Sequence, residues 1–196
     1  MIGNPIFEVL ERYKNYIAKR KIFEELNLKK HKYFLVTMHR AENVDNKRRL
    51  GNLIMGLERL SKKYRRPIVC SLHPRTRDKM KRFGFPFRDR SIRYLTPLGF
   101  FDFVALEKNA FCVLTDSGTV QEECCIYRIP NVTIRDVTER PETIECGSNI
   151  LSGDDPDIIM SCVENALNHP CCWNPPAEYL DHCVSDTVIN ILLSYR

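Results

Sequence analysis

Short apolar, β-rich runs alternate along this chain with segments of helical periodicity. Tyr33-Phe34-Leu35-Val36-Thr37 predicts a strand. Leu50, Leu53, Ile54, Leu57 and Leu60 then recur on one helix face, and Asp45 or Asn46 can cap that helix. Ile68–Leu72 predicts a second strand, followed by a basic helix over about Arg75–Arg82. Ile92–Tyr94 predicts a short strand, Phe100–Lys108 a helix and Phe111–Thr115 a buried strand. A helix runs through Gln121-Glu122-Glu123, Val132–Ile134 predicts a strand, and Asp155–Asn168 a helix. At the front, Asn4 as N-cap and Pro5 at the first helical position open an amphipathic helix carrying Ile6, Val9, Leu10, Tyr13 and Ile17. His169–Pro176 is rich in Pro and Cys and reads as a linker. A last helix, about Val184–Tyr195, places Val188, Ile189, Leu192 and Leu193 on one face.

Strands that are apolar on both faces and separated by helices predict an α/β fold, a parallel sheet flanked by helices. The length of 196 residues suits one such domain over 1–168 and a tail over 169–196. No run approaches the roughly 18 apolar residues of a membrane span, so no membrane partner is expected. The opening Met1-Ile2-Gly3-Asn4-Pro5 lacks the basic and apolar regions of a signal peptide. The net charge of +5, from 30 basic and 25 acidic residues, suits anionic small molecules. No RRM, zinc-finger or homeodomain pattern accompanies that charge, and no nucleic-acid partner is expected. Nine cysteines include the adjacent pairs Cys124-Cys125 and Cys171-Cys172 but no C-x-x-C. That spacing predicts neither a disulfide framework nor a zinc site, and points to a reducing cytoplasm. Cys70, Cys112 and Cys162 sit in apolar surroundings and read as core residues.

Ligands of an open parallel sheet bind beyond the carboxyl ends of its strands. In this chain those ends lead into polar segments: Met38-His39-Arg40-Ala41-Glu42-Asn43, His73-Pro74-Arg75, Thr115-Asp116-Ser117-Gly118-Thr119, and Arg135–Glu142. Ser117-Gly118 opens a helix, whose N–H groups and dipole favour a phosphate; a serine hydroxyl adds a donor, and Gly118 permits close approach. Glu122 and Glu123 can accept hydrogen bonds from ribose hydroxyls. The competing reading is a capping box, with Ser117 as cap and Thr119 and Glu122 completing it. His39 and Arg40 can contact a diphosphate, His39 as donor or proton carrier; His39 and His73 can equally be structural. The basic run Arg75, Arg77, Lys79, Lys81 and Arg82 reads as a solvated helix face. Neither a P-loop nor a dinucleotide fingerprint occurs.

The blocks His39-Arg40-Ala41-Glu42-Asn43, His73-Pro74, Thr115–Glu123 and Thr138-Glu139-Arg140-Pro141-Glu142 resemble, in order and spacing, the non-hydrolysing UDP-N-acetylglucosamine 2-epimerases. Gly3-Asn4-Pro5-Ile6 resembles the segment where that family's chain enters its second domain. The resemblance implies a Rossmann-like C-terminal half of a GT-B-type two-domain enzyme, with a UDP-sugar in the cleft between domains. By resemblance, Ser117 and Gly118 would bind the diphosphate with His39 beside it, the one catalytic group expected here. Glu123 would hold the ribose and Phe103 the uracil; Arg40 and His73 would line the sugar end. Glu42 is counted with the substrate-binding set, and Arg140 and Glu142 would support the cleft. Thr119 stands where many members have a second glycine.

The family reaction inverts C2 of UDP-GlcNAc to give UDP-ManNAc, by elimination and re-addition of UDP. It implies no metal and no nicotinamide. The acid/base carboxylates lie on the family's first domain, so this chain is expected to be a truncated or shortened form that is weak or inactive alone. Its expected partners are a second copy or a separate N-terminal half. The alternatives are a sister epimerase on another UDP-amino sugar, the donor half of a glycosyltransferase, and a non-catalytic UDP-binding module.

Overall fold

In a computed structural model, which describes residues 3–87, 91–169 and 172–194, the apolar runs form six strands. These are β1 (Phe34–Thr37), β2 (Ile68–Ser71), β3 (Ile92–Leu95), β4 (Cys112–Thr115), β5 (Asn131–Thr133) and β6 (Asn149–Leu151). All neighbours pair in parallel, in the order β3-β2-β1-β4-β5-β6. The predicted parallel α/β architecture is therefore the one observed. The chain moves outward from β1 through β2 to β3, then returns to the other side of β1 with β4. The strand order thus reverses between β1 and β4, where Thr37 lies beside Thr115. A ligand crevice belongs at that point.

Successive strand residues point to opposite faces, and this divides the core in two. Phe34, Val36, Cys70, Cys112 and Leu114 pack under α4 (Lys47–Tyr64) and α9 (Pro156–Asn168), with Cys162 against the same cluster. Tyr33, Leu35, Val69 and Val113 face α1 (Ile6–Ala18), α6 (Phe100–Glu107) and α7 (Gly118–Tyr127). Burying each such large side chain stabilises the fold by about 2 kcal/mol. Gly56 lets α4 approach α9 closely: a Cβ there would stand 3.1 Å from Ile159 Cδ1. The choice of cap for α4 falls on Asn46, whose side chain accepts the Arg49 N–H. Asn4 Oδ1 accepts the Ile6 N–H at 3.0 Å, as expected for the first helix.

The remaining helices are short ones, α2 (Ile22–Glu25), α3 (Ala41–Val44) and α8 (Pro141–Glu145), together with α5 (Pro74–Phe83) and α10 (Val184–Ser194). The segment before α10 packs on the same domain. Trp173 Nε1 donates to the Cys125 carbonyl at 3.0 Å, Tyr179 Oη donates to Glu142 Oε1 at 2.6 Å, and Asn4 N donates to Glu178 O at 2.9 Å. Beyond it, Ile189, Leu192 and Leu193 of α10 are 52%, 70% and 56% exposed. Of the predicted linker and last helix, Pro170, Cys171 and Tyr195 lie outside the described residues, as do Met1 and Ile2. Among the described residues no helix is long and apolar enough to cross a membrane.

Candidate functional site

The reversal of strand order brings the β1 and β4 loops together around Asp116, which is fully buried. Its Oδ2 accepts three hydrogen bonds: from His39 N at 2.8 Å, Arg40 N at 2.9 Å and Asn43 Nδ2 at 3.1 Å. Arg40 Nε also donates to the Asp116 carbonyl at 3.3 Å. Two main-chain donors and an amide thus hold the His39-Arg40 turn against the start of α7. Asp116 Oδ1 lies 3.4 Å from His39 Nδ1 without an aligned hydrogen bond. The His39 ring is 36% exposed, so it rests on a buried carboxylate while facing outward.

His73 joins this cluster, its ring centroid 5.5 Å from that of His39. Its Nδ1 accepts the Arg75 N–H at 3.2 Å, capping α5. In a neutral ring this bond leaves the proton on Nε2. The structural role and the place beside His39 are both real for this residue. Of the basic helix face, Arg75 and Lys79 pair with Asp45 and Arg82 with Asp78; Lys81 and Arg82 are exposed as expected, while Arg77 is half-buried.

Ser117 is the N-cap of α7, but its side chain makes no capping hydrogen bond. The capping-box reading is therefore corrected. With Ser117 as cap the third helical position is Val120, so Glu122 lies too far along the helix to reach back; its Oε1 accepts from Arg140 Nε instead. The Ser117 main chain is held instead: its N–H donates to Thr115 Oγ1 at 3.0 Å, and Gln121 Nε2 donates to its carbonyl at 3.3 Å. The guanidinium of Arg140 lies over Gly118, where a Cβ would meet Arg140 Cζ at 3.6 Å. The first turn of α7 is thus overlaid by one cation, with Arg40 on the neighbouring loop. Helix N–H groups and guanidinium charge together favour an anion at this position.

Glu42 has a different partner from the one its loop position suggests. The buried Arg135 donates from Nε to Glu42 Oε1 at 2.6 Å and from Nη1 to Glu139 Oε2 at 2.6 Å. The Arg135 hydrogen bonds hold Glu139 far below the carboxylate range, at about 2. This pair ties the β5 loop to the β1 loop. Arg49 adds a second tie, donating to Asn43 Oδ1 at 2.8 Å, Asp136 Oδ2 at 2.8 Å and Asp154 Oδ1 at 3.0 Å.

Beside Arg140 and Glu122 opens a cleft of about 560 Å³, lined also by Asn4, Pro5, Glu142 and Tyr179. His39, Arg40 and His73 do not line it. Phe103 and Glu123 stand on α6 and α7, on the opposite side of the sheet from α4. Phe103 is half-buried and Glu123 is 4% exposed. His39, Arg40, His73, Ser117, Gly118 and Arg140 therefore gather around the N-terminus of α7, whereas Phe103 packs in the core on α6 and the Glu123 carboxyl lies buried beside Glu107. His39, Arg40 and His73 lie at the β1 and β2 ends, Ser117 and Gly118 at the centre, and Arg140 above. Sequence reasoning missed Asp116, Asn43 and Arg135, which position the others. Their signal was present, since Asp116 lies inside the Thr-Asp-Ser-Gly block, but its meaning depends on β1 lying beside β4.

A family model described as UDP-N-acetylglucosamine 2-epimerase matches residues 1–193. The chain belongs to this family. It is 46% identical over 202 residues to a UDP-N-acetylglucosamine 2-epimerase of Methanococcus maripaludis, covering 100% of this chain and 55% of that protein. The solved structure of the Methanocaldococcus jannaschii UDP-GlcNAc 2-epimerase in complex with UDP-GlcNAc and UDP superposes with a TM-score of 0.92. It is 38% identical, and the match covers 99% of this chain and 54% of that one. At the level of fold alone, a UDP-forming trehalose-phosphate synthase of Burkholderia xenovorans matches with a TM-score of 0.61 at 15% identity, over 98% of this chain and 50% of that one. The chain thus has the fold of one half of a GT-B-type enzyme, and spans about half the length of the relatives it matches.

Proposed function

We propose that this chain is the UDP-binding half of an epimerase site that inverts C2 of UDP-GlcNAc. The observation that carries the reading is the first turn of α7. There a serine without a capping bond and a glycine beneath the Arg140 guanidinium meet the His39-Arg40 turn braced by Asp116. A solved relative with this fold holds UDP-GlcNAc and UDP, which supports placing a UDP-sugar here.

In this reading Ser117, Gly118 and the α7 N–H groups receive the diphosphate. Glu123 accepts from the ribose hydroxyls, Phe103 meets the uracil, and Arg40 and His73 stand toward the sugar. Elimination of UDP develops negative charge on the diphosphate, and fixed donors aimed at that charge lower the barrier. His39 serves as donor to the leaving oxygen, with Asp116 fixing the main chain that carries it. Glu42 acts through Arg135, shaping the loop that carries His39. A first domain supplies the acid and base near C2 and C3, and it covers the exposed α10 face of Ile189, Leu192 and Leu193. The substrate is an anionic small molecule, and the setting is a reducing cytoplasm.

The test supplies the first domain of a relative as a separate chain and follows the sugar at C2 by NMR. Inversion at C2 is the expected product. Transfer of the sugar to an acceptor, or no reaction from a complex that forms and binds UDP-GlcNAc, would reject the epimerase assignment.

A further inference from the structure

Two glutamates lie buried together behind the nucleotide-facing end of α7. Glu107, the last residue of α6, is 0% exposed, and Glu123 of α7 is 4% exposed. Among the described residues neither carboxylate pairs with a lysine or arginine. Arg140 is committed to Glu122. Lys108, next to Glu107, lies over the Tyr127 ring at 4.8 Å. The groups facing the pair are Glu122, Cys124 and Tyr127 of α7, none of them a cation. Glu107 Oε1 accepts from Cys124 Sγ at 3.5 Å, while Oε2 is buried with no conventional donor.

Two adjacent buried carboxyls without a counter-ion cannot both ionise, because each unpaired charge carries a large desolvation cost. One proton must remain in the pair. Burial pushes Glu107 well above the carboxylate range and Glu123 up to about 7. The deeper residue keeps its proton, and the shallower one gives its own up near 7, with Glu107 on hand as the donor to it. A donated O–H satisfies Oε2, which otherwise has no partner.

We infer that Glu107 is a positioning residue that stays protonated at neutral pH, holding the Glu123 carboxylate in place as the acceptor for the nucleotide ribose. Glu107 lies four residues after Phe103, so both project from one face of α6. One helix would thus set the ring that meets the base and the proton that fixes the sugar anchor. The inference rests on the proposed role of Glu123, and its consequences can be separated from that role.

The experiment uses this chain with UDP and 2′,3′-dideoxy-UDP, by calorimetry from pH 6 to 8. Ionised Glu123 favours binding, so the affinity for UDP should rise about tenfold over that range as the site passes its titration near 7. Glu107→Gln keeps a neutral donor and should bind UDP within about twofold of the parent at each pH. Glu107→Leu removes the donor; it should lose about tenfold in UDP affinity at pH 7 and move the midpoint upward. It should leave the dideoxy analogue unaffected. Unchanged affinity and midpoint in Glu107→Leu would overturn the inference, as would an equal loss in Glu107→Gln. The ¹³C shift of the Glu107 carboxyl at pH 7 decides the proton without any ligand. A protonated shift is expected, and a carboxylate shift would overturn the inference. A parent chain that shows the protonated shift but binds no UDP would reject the site reading and keep the proton.

Discussion

Asp116 Oδ2 accepts the main-chain N–H of His39 at 2.8 Å, across 77 residues of sequence. The same oxygen accepts Arg40 N and Asn43 Nδ2, so one buried carboxylate fixes the whole β1 loop. Replacing it with alanine orphans these donors in the interior. Asp116→Ala should destabilise the chain by about 3 kcal/mol, read as a lower urea midpoint. Asp116→Asn keeps one acceptor oxygen and should cost about half as much. Equal midpoints for the parent and Asp116→Ala would show that the brace contributes nothing.

The first turn of α7 offers a cleaner separation of folding from binding. Ser117 makes no capping bond, so Ser117→Ala should change stability by less than about 0.5 kcal/mol, far below the usual loss of a helix cap. A Cβ at Gly118 meets only ordinary contacts with Arg140, at 3.6 Å and beyond, so Gly118→Ala should also fold normally. Both variants should nonetheless bind UDP about tenfold more weakly, one lacking a donor and the other crowding the phosphate. Thermal melts beside calorimetry check this. A large stability loss in Ser117→Ala would restore the capping-box reading.

Acid should loosen the loops before it unfolds the sheet. Glu139 is held at about 2 by Arg135, below its ordinary value of 4.5. A depressed carboxylate contributes stability above its unfolded pKa and loses it as pH falls through the folded one. The window is therefore pH 4.5 down to about 2. Glu139 is half-exposed, so solvent screening keeps the contribution modest. Denaturant midpoints measured across that window should fall for the parent and fall less for Glu139→Gln.

The sheet was legible because its strands are apolar on both faces, as in Phe34–Val36 and Cys112–Leu114. Strand β6 was not. Asn149 is polar, and its burial is satisfied by partners on other elements: its Nδ2 donates to Gln121 and Thr143, and its Oδ1 accepts from Thr133. Helices α2 and α3 span four residues each, too few for a helical period to show. The site residues were visible as polar segments following strands. The pairing of Arg140 with Glu122 was not visible, because it depends on a loop 18 residues further on.

The α10 face gives a prediction about assembly. Ile189, Leu192 and Leu193 are more than half exposed and adjacent on the helix. An apolar strip of this kind favours self-association. Sedimentation should show a concentration-dependent dimer of this chain, weakened by Ile189→Glu with Leu192→Glu. A parent that stays monomeric at all concentrations would contradict it.

The central claim is that the nucleotide-handling half of the site is present in this chain. Titration of UDP into the folded chain by calorimetry tests it most directly. The account predicts saturable binding at one site per chain, lost when Ser117→Ala and Glu123→Ala are combined. A folded chain that releases no heat of binding with UDP, or a double variant that binds as tightly as the parent, would contradict it.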